Sequence, residues 1–360
     1  MKRASILFLV VIMTAALYAV APVVSNATAA QRTDGSKIID IYYDVSSASD
    51  DSVWVNLSVS NDAGNTFTVT ATPAFLNGDI GKTHTGTGKH IIWNAGNEAQ
   101  PMDGEQFALK VQAMQPVPLN FVQVQGGTFN NGTSVTLSSF YMSKYELTQA
   151  EYQAVMGVNP SFWQQTDRPV EQVSWFNAIE YCNRRSINEG ITPCYSYSTY
   201  GTNPSNWPSG WNISNANHTN VACNWTANGY RLPTEMEWQF AARGGNLTHN
   251  YTYSGSNDIN AVAWYDSNSG STHTVGTKAA NELGLFDMSG NVCEWNWDIY
   301  GSYPSGAQTN PHGATSGSDR VLRGGNWTHW DTFCAVHFRN NSNATLNIHD
   351  TGFRCVRISP

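Results

Sequence analysis

The sequence predicts two domains of different class: a small all-β sandwich, then an α+β domain with little regular secondary structure. Three observations carry this. At 360 residues the chain is long enough for two domains. Apolar and polar residues alternate with a period of two only in the first third, from about Ser36 to Ala113. Beyond that come three short stretches with helix start signals, then about 115 residues rich in Gly, Asn and Ser turns.

Composition narrows the class further. Charged residues make up 13% and hydrophobic ones 41%, with 13 Trp, 16 Tyr and 14 Phe. So many aromatics at so low a charge density exclude a disordered chain. Neutral side chains carry the polarity, and Asn alone occurs 36 times. The formal charge of −8 excludes a nucleic-acid surface, which needs a basic stripe.

Met1-Lys2-Arg3, the apolar run from Ile6 to Val24 and the small triplet Ala27-Thr28-Ala29 have the layout of a secretory signal. Residues 1–29 are expected to be that signal, cleaved before Ala30. The mature chain is then exported (periplasmic, cell-surface or secreted) and meets a membrane only transiently. A retained anchor is the competing reading. Export permits disulfides among Cys182, Cys194, Cys223, Cys293, Cys334 and Cys355. Six cysteines allow fifteen connectivities, and none here has C-x-x-C spacing.

In the segment 30–115, Val53, Val55, Leu57 and Val59 alternate with Trp54, Asn56, Ser58 and Ser60. Asp62-Ala63-Gly64-Asn65 reads as a turn, after which Thr66-Phe67-Thr68-Val69 resumes the alternation. Ile38 to Tyr43, His90 to Trp93 and Phe107 to Val111 are further strands. The pattern predicts an immunoglobulin- or fibronectin-like sandwich, acting as a spacer or adhesion module. Pro116-Val117-Pro118 reads as a stiff linker, and the second domain spans 119–360. There Phe121 to Val124 and Ser134 to Tyr141 read as strands. Thr148 with Glu151 and Thr234 with Glu237 are capping boxes. Ser174 caps a helix from Trp175 to about Asn188, and Gly244-Gly245 closes the third helix. Seven of the 13 Trp lie from Trp225 onward, and large buried aromatics can hold irregular loops together.

The second domain carries an ordered series of blocks. They include Phe121 to Phe129, Glu146-Leu147-Thr148, Pro169-Val170, Val173-Ser174-Trp175, Tyr230 to Glu235 with Glu237-Trp238, and Ala241 to Gly245. Leu283 to Val292 with Glu294-Trp295, Arg320 to Gly325 and Gly352-Phe353-Arg354 complete it. This series resembles the formylglycine-generating enzyme, or sulfatase-modifying factor, family. The resemblance implies a C-type-lectin-like α+β fold over about residues 119–360. Motifs of other chemistries are absent: there is no Gly-x-Ser-x-Gly elbow, phosphate-binding glycine loop or His-Glu-x-x-His.

Enzymes of that family oxidise a cysteine in a Cys-x-Pro-x-Arg segment of sulfatases, using copper, oxygen and two cysteines five residues apart. The matching positions here are His329 and Cys334, so the paired-thiol site is broken. Copper(I) favours two thiolates over one thiolate and an imidazole. Cys334 is then structural and His329 a loop side chain, with a copper-dependent oxidase using Cys334 as the alternative. The resemblance also implies a calcium site at Asp287, Gly290, Val292 and Glu294, a mixture of carboxylate and carbonyl oxygens that suits calcium. It pairs Cys182 with Cys355. Cys194 and Cys223 flank an Asn- and Trp-rich insertion they could staple, and Cys293 and Cys334 remain as a pair.

Between close family matches, the last loops are chemically mixed. Thr328, His329, Trp330, Asp331, Thr332, Phe333 and His337 combine aromatic anchors with short polar groups, the composition of a binding surface. Asn340, Asn341, Asn343 and Asn347 are positions of the kind diversity-generating retroelements vary in proteins of this fold. The favoured expectation is an exported, non-catalytic module binding a protein or glycan ligand through these residues. A copper-dependent oxidase and a structural envelope or adhesion component are the alternatives.

Overall fold

The computed structural model describes residues 22–47, 52–60, 69–98, 108–114 and 120–358. The leader up to residue 21, the Asp62–Asn65 turn with Thr66 to Thr68, and the Pro116-Val117-Pro118 linker lie outside the described residues. The chain divides into two compact units between Pro116 and Val117.

The first unit contains β1 (Val23–Gln31), β2 (Ile38–Ser46), β3 (Ser52–Ser60), β4 (Val69–Thr70), β5 (Leu76–Gly78), β6 (Gly81–His84), β7 (Gly86–Asn94) and β8 (Ala108–Met114). One antiparallel sheet has the order β1-β2-β7-β5. The other is built on β3, which pairs with β8 on one side and with β4 and β6 on the other. Alternate side chains of a strand share a face. Val53, Val55, Leu57 and Val59 of β3 therefore meet Ile39, Ile41, Tyr43 and Val45 of β2 in one hydrophobic cluster with Trp93.

β1 departs from the expected leader. Ala27-Thr28-Ala29 lies inside this edge strand, and Ala27 and Ala29 pack against the shared cluster. Side chains small enough for a peptidase are also small enough to fit beneath a sheet edge. Cleavage before Ala30 would leave the strand only Ala30 and Gln31.

The second unit contains β9 (Phe121–Val124), β10 (Gly127–Asn130), β11 (Ser134–Leu137), β12 (Phe140–Ser143), α1 (Gln149–Met156), α2 (Trp175–Asn188), β13 (Tyr195–Tyr197), β14 (Val221–Cys223), α3 (Glu235–Ala242) and α4 (Ile259–Val262). It continues with β15 (Cys293–Ile299), β16 (Gln308–Thr309), β17 (Asp319–Arg323), β18 (Asn340–Asn343), β19 (Thr351–Gly352) and β20 (Val356–Ile358). Helices are few and the sheets mixed. β15 pairs antiparallel with β17 and parallel with β19. The strand expected over Ser134 to Tyr141 is broken at Ser138-Ser139, so that β11 pairs with β10 while β12 pairs with β9 and β20.

Both expected capping boxes form, and Ser174 makes a third with Asn177. Indole groups tie the irregular segments to the helices. Trp175 on α2 donates to the Asn296 carbonyl at 3.0 Å, and Trp295 donates back to Val173 at 2.9 Å.

The six cysteines are unbonded in this structure. The Cys182 and Cys355 sulfurs are neighbours at 3.9 Å, well beyond the roughly 2.05 Å of a bond. Cys194 donates to the Ala227 carbonyl with Cys223 near it, and Cys293 faces His329 with Cys334 near it.

A candidate ligand-binding face

Three loops converge beside β15: the α1–α2 loop, the loop after β17 and the loop after β18. Backbone hydrogen bonds fix them to one another. Trp327 N–H donates to Asn291, Cys293 N–H to Asp350, and Gln172 N–H to Ile348. Asn326 shapes the second loop, since its Oδ1 accepts from both the N–H and the hydroxyl of Thr328 at 2.9 Å. A single helical turn over Asp331–Cys334 follows. It leaves Trp330 67% exposed, with Phe333 packed among His329, Trp330 and Phe338.

From the α1–α2 loop, Phe162 stands 61% exposed. Its ring meets those of Trp163 at 5.0 Å and His349 at 6.0 Å. Trp327 closes the circuit, 6.0 Å from Trp163 and 5.5 Å from His349. Every contact in this circuit is edge-to-face, the arrangement aromatic pairs prefer. Glu171 is fully buried, with Oε1 accepting from the Trp163 N–H at 2.8 Å, and burial pushes its carboxyl pKa up. Its Oε2 and the Trp163 Nε1 are buried without a hydrogen-bond partner.

The residues expected to bind a ligand fall in different places. Thr328, His329, Trp330, Asp331, Thr332 and Phe333 share the second loop, and His337 is exposed shortly after it. Asn340, Asn341 and Asn343 instead belong to the edge strand β18, paired with β17. Asn341 donates to Asp319, and Asn343 Oδ1 caps the turn at Thr345, so both side chains have structural work. Asn347 is exposed beside Ile348. Phe162, Trp163, Glu171 and His349 escaped notice. The only signal was an exposed-type loop carrying Phe162-Trp163, and nothing local says which loops it will meet.

At the positions matching the family's copper cysteines, His329 turns toward Cys293. His329 Nδ1 lies 3.9 Å from the Cys293 sulfur, which also accepts from Asn326 Nδ2 at 3.5 Å. Cys334 is fully buried, and the Gly290 N–H beside it donates to the Gly324 carbonyl. Burial pushes its pKa up to about 12, so it is an inert thiol at neutral pH. These residues do not fit copper at the family position.

The calcium set is likewise committed to protein donors. Glu294 gives both oxygens to Arg354, at 2.7 to 2.9 Å, and accepts from Trp238 Nε1 at 2.8 Å. Asp287 Oδ2 accepts from Gly276 N–H at 2.6 Å, and burial pushes its pKa up to about 6. Glu146, which the sequence reading passed over, accepts from Val292 N–H and Asn291 Nδ2. Among the described residues no group of three or more His, Cys, Asp or Glu is arranged to hold a metal. Of the four expected calcium ligands, Glu294 is thus ion-paired with Arg354 and Asp287 is held by the Gly276 N–H.

Comparisons with known proteins agree with the fold. Residues 106–359 match the model of the sulfatase-modifying factor enzyme 1-like domain. The chaperone protein LppX of Paenibacillus barcinonensis is 40% identical over 262 residues, covering 66% of this chain and 89% of that protein. The formylglycine-generating enzyme of Mus musculus is 25% identical over 289 residues, 67% of this chain and 76% of the enzyme. Among solved structures, Treponema denticola variable protein 1 superposes with a TM-score of 0.60 at 35% identity, covering 67% of this chain and 95% of that one. With its mixed sheets, few helices and a match over most of its length, this chain belongs to the sulfatase-modifying factor, or formylglycine-generating enzyme, family.

Proposed function

We propose that the family domain is a non-catalytic module that binds polypeptide through the face around Trp330 and Phe162. The observation that carries this reading is the exposure of these two large aromatics on loops tied together beneath them. Exposed aromatics on a fixed scaffold are the anchors of binding interfaces. The altered thiol pair supports a binding role over oxidation, because no second thiolate is available at position 329. The relatives support it too: one is named a chaperone, whose task is to hold a polypeptide, and another a variable protein. A chaperone-like role favours protein over glycan as the ligand. The same reading places the protein outside the cytoplasm, with a C-type-lectin-like domain carried on a β-sandwich spacer. Its exposed C-terminal loops are where retroelement-driven variation would act.

The test is binding of a fluorescent panel of aromatic- and lysine-containing peptides to the full chain by anisotropy. Trp330→Ala and Phe162→Ala should each weaken binding by about 2 kcal/mol, as anchor truncations do. Undiminished affinity in the double variant would refute the face. Conversion of a Cys-x-Pro-x-Arg peptide to formylglycine would refute the non-catalytic reading.

A further inference from the structure

The binding face has a charge character that its aromatic composition hides. The three segments that build it, residues 157–167, 326–338 and 344–351, contain no Lys or Arg but do contain Asp167, Asp331 and Asp350. The nearest arginines are engaged elsewhere. Arg168 donates to Gln165 and Ser271, and Arg339 is paired with Glu235 at 2.6 Å. At the foot of the Phe162–Trp163 pair lies Glu171, fully buried, with one carboxylate oxygen satisfied and Oε2 orphaned. A buried carboxylate oxygen without a partner is expensive, and native structures seldom leave one unless a water, ion or ligand completes it. Trp163 Nε1, also buried and orphaned, is a donor on a ring of the same circuit.

Resting on the polypeptide-binding reading, we infer that this face selects segments bearing a cationic side chain, a lysine or arginine flanked by apolar residues. Each part of the face has a role in that recognition. The rings of Phe162, Trp163, Trp327 and Trp330 offer electron-rich faces that attract a cation and cover the apolar stem of a long side chain. Glu171 Oε2 supplies a charge-assisted acceptor. Trp163 Nε1–H supplies a donor that a main-chain carbonyl of the same segment can take, which a free amine could not do. Asp331 and Asp350 contribute a negative field that steers cationic segments and repels acidic ones. The orphaned donor and acceptor call for a group with both a cation and a carbonyl oxygen, which a lysine or arginine residue of a polypeptide supplies.

The experiment compares three peptides identical except at one position, carrying lysine, norleucine or glutamate between apolar neighbours. They are titrated into the full chain and into Glu171→Gln, with near-UV circular dichroism checking that the variant is folded. The lysine peptide should bind the native chain about tenfold or more tightly than the norleucine peptide, and the glutamate peptide weakest of all. Glu171→Gln should shrink the lysine preference over norleucine to about twofold or less. Phe162→Leu, which keeps the loop packed but removes the ring, should reduce the same preference and serves if Glu171→Gln misfolds. Equal affinity for lysine and norleucine peptides would overturn the inference and leave the binding reading standing. Failure of every peptide to bind would overturn both.

Discussion

Two neighbouring segments, Asp287–Glu294 and Trp327–Phe333, are joined by a hydrogen bond from Trp327 to Asn291, yet they treat their polar groups in opposite ways. In the first, buried carboxylates are tied down: Glu294 by Arg354 and Trp238, Asp287 by Gly276, and Glu146 by the loop itself. The second rises from that base and exposes Trp330, with Phe162 and the orphaned Glu171 close by in the packing. The contrast separates two uses of polar groups within one packed region. Saturated polar groups fix the frame, and unsatisfied ones mark where a partner is missing.

The sharpest way to break that contrast is Arg354→Ala. Arg354 and Glu294 are both fully buried, so removing the guanidinium strands a carboxylate in the core. A loss of about 3–5 kcal/mol in urea unfolding is expected. Trp330→Ala should stay within about 0.5 kcal/mol of the native chain in the same assay. Equal losses would mean that the exposed loop is part of the frame.

Thiol chemistry gives the next test. Cys334 should react with iodoacetamide at pH 8 at least about a hundredfold more slowly in the native chain than in urea, by peptide mass mapping. Fast native labelling at Cys334 would revive the oxidase alternative.

The smallest effect concerns His329, whose pKa burial lowers, opposed in part by Asp350. A histidine with a depressed folded pKa contributes its stability above the ordinary value of about 6.5 and loses it as pH falls toward the folded pKa. Unfolding free energies measured from pH 7.5 to 5.5 should therefore fall less steeply in His329→Gln than in the native chain. An unchanged slope would mean that the imidazole is not held neutral.

Much of the frame was legible in the sequence because its signals are local. Thr148 with Glu151 and Thr234 with Glu237 announce their helices three residues apart, and both boxes form. The alternation of Val53 to Val59 announces a strand half-buried on one face, and that face is the core. The ordered family blocks announce the mixed-sheet domain. What was not legible depends on contacts between distant segments. Glu171 reads like any loop acid until Trp163, Trp327 and His349 close around its loop. Asn340 and Asn341 looked like free binding residues because nothing nearby says that β17 will pair with them. Spacing alone likewise does not disclose that Cys293 will face His329. Ala27-Thr28-Ala29 lies within β1, since small residues satisfy two unrelated demands.

The position of β20 bears on when this domain can exist at all. β20 is hydrogen-bonded to β12 alongside β9, and Arg354 just before it neutralises Glu294. The first strands of the domain to leave the ribosome thus wait for almost the last ones, with some 200 residues emerging in between. Until Arg354 arrives, the nascent chain carries an uncompensated acid at the centre of its future core. A nascent domain of this design cannot close its core until β20 and Arg354 have emerged.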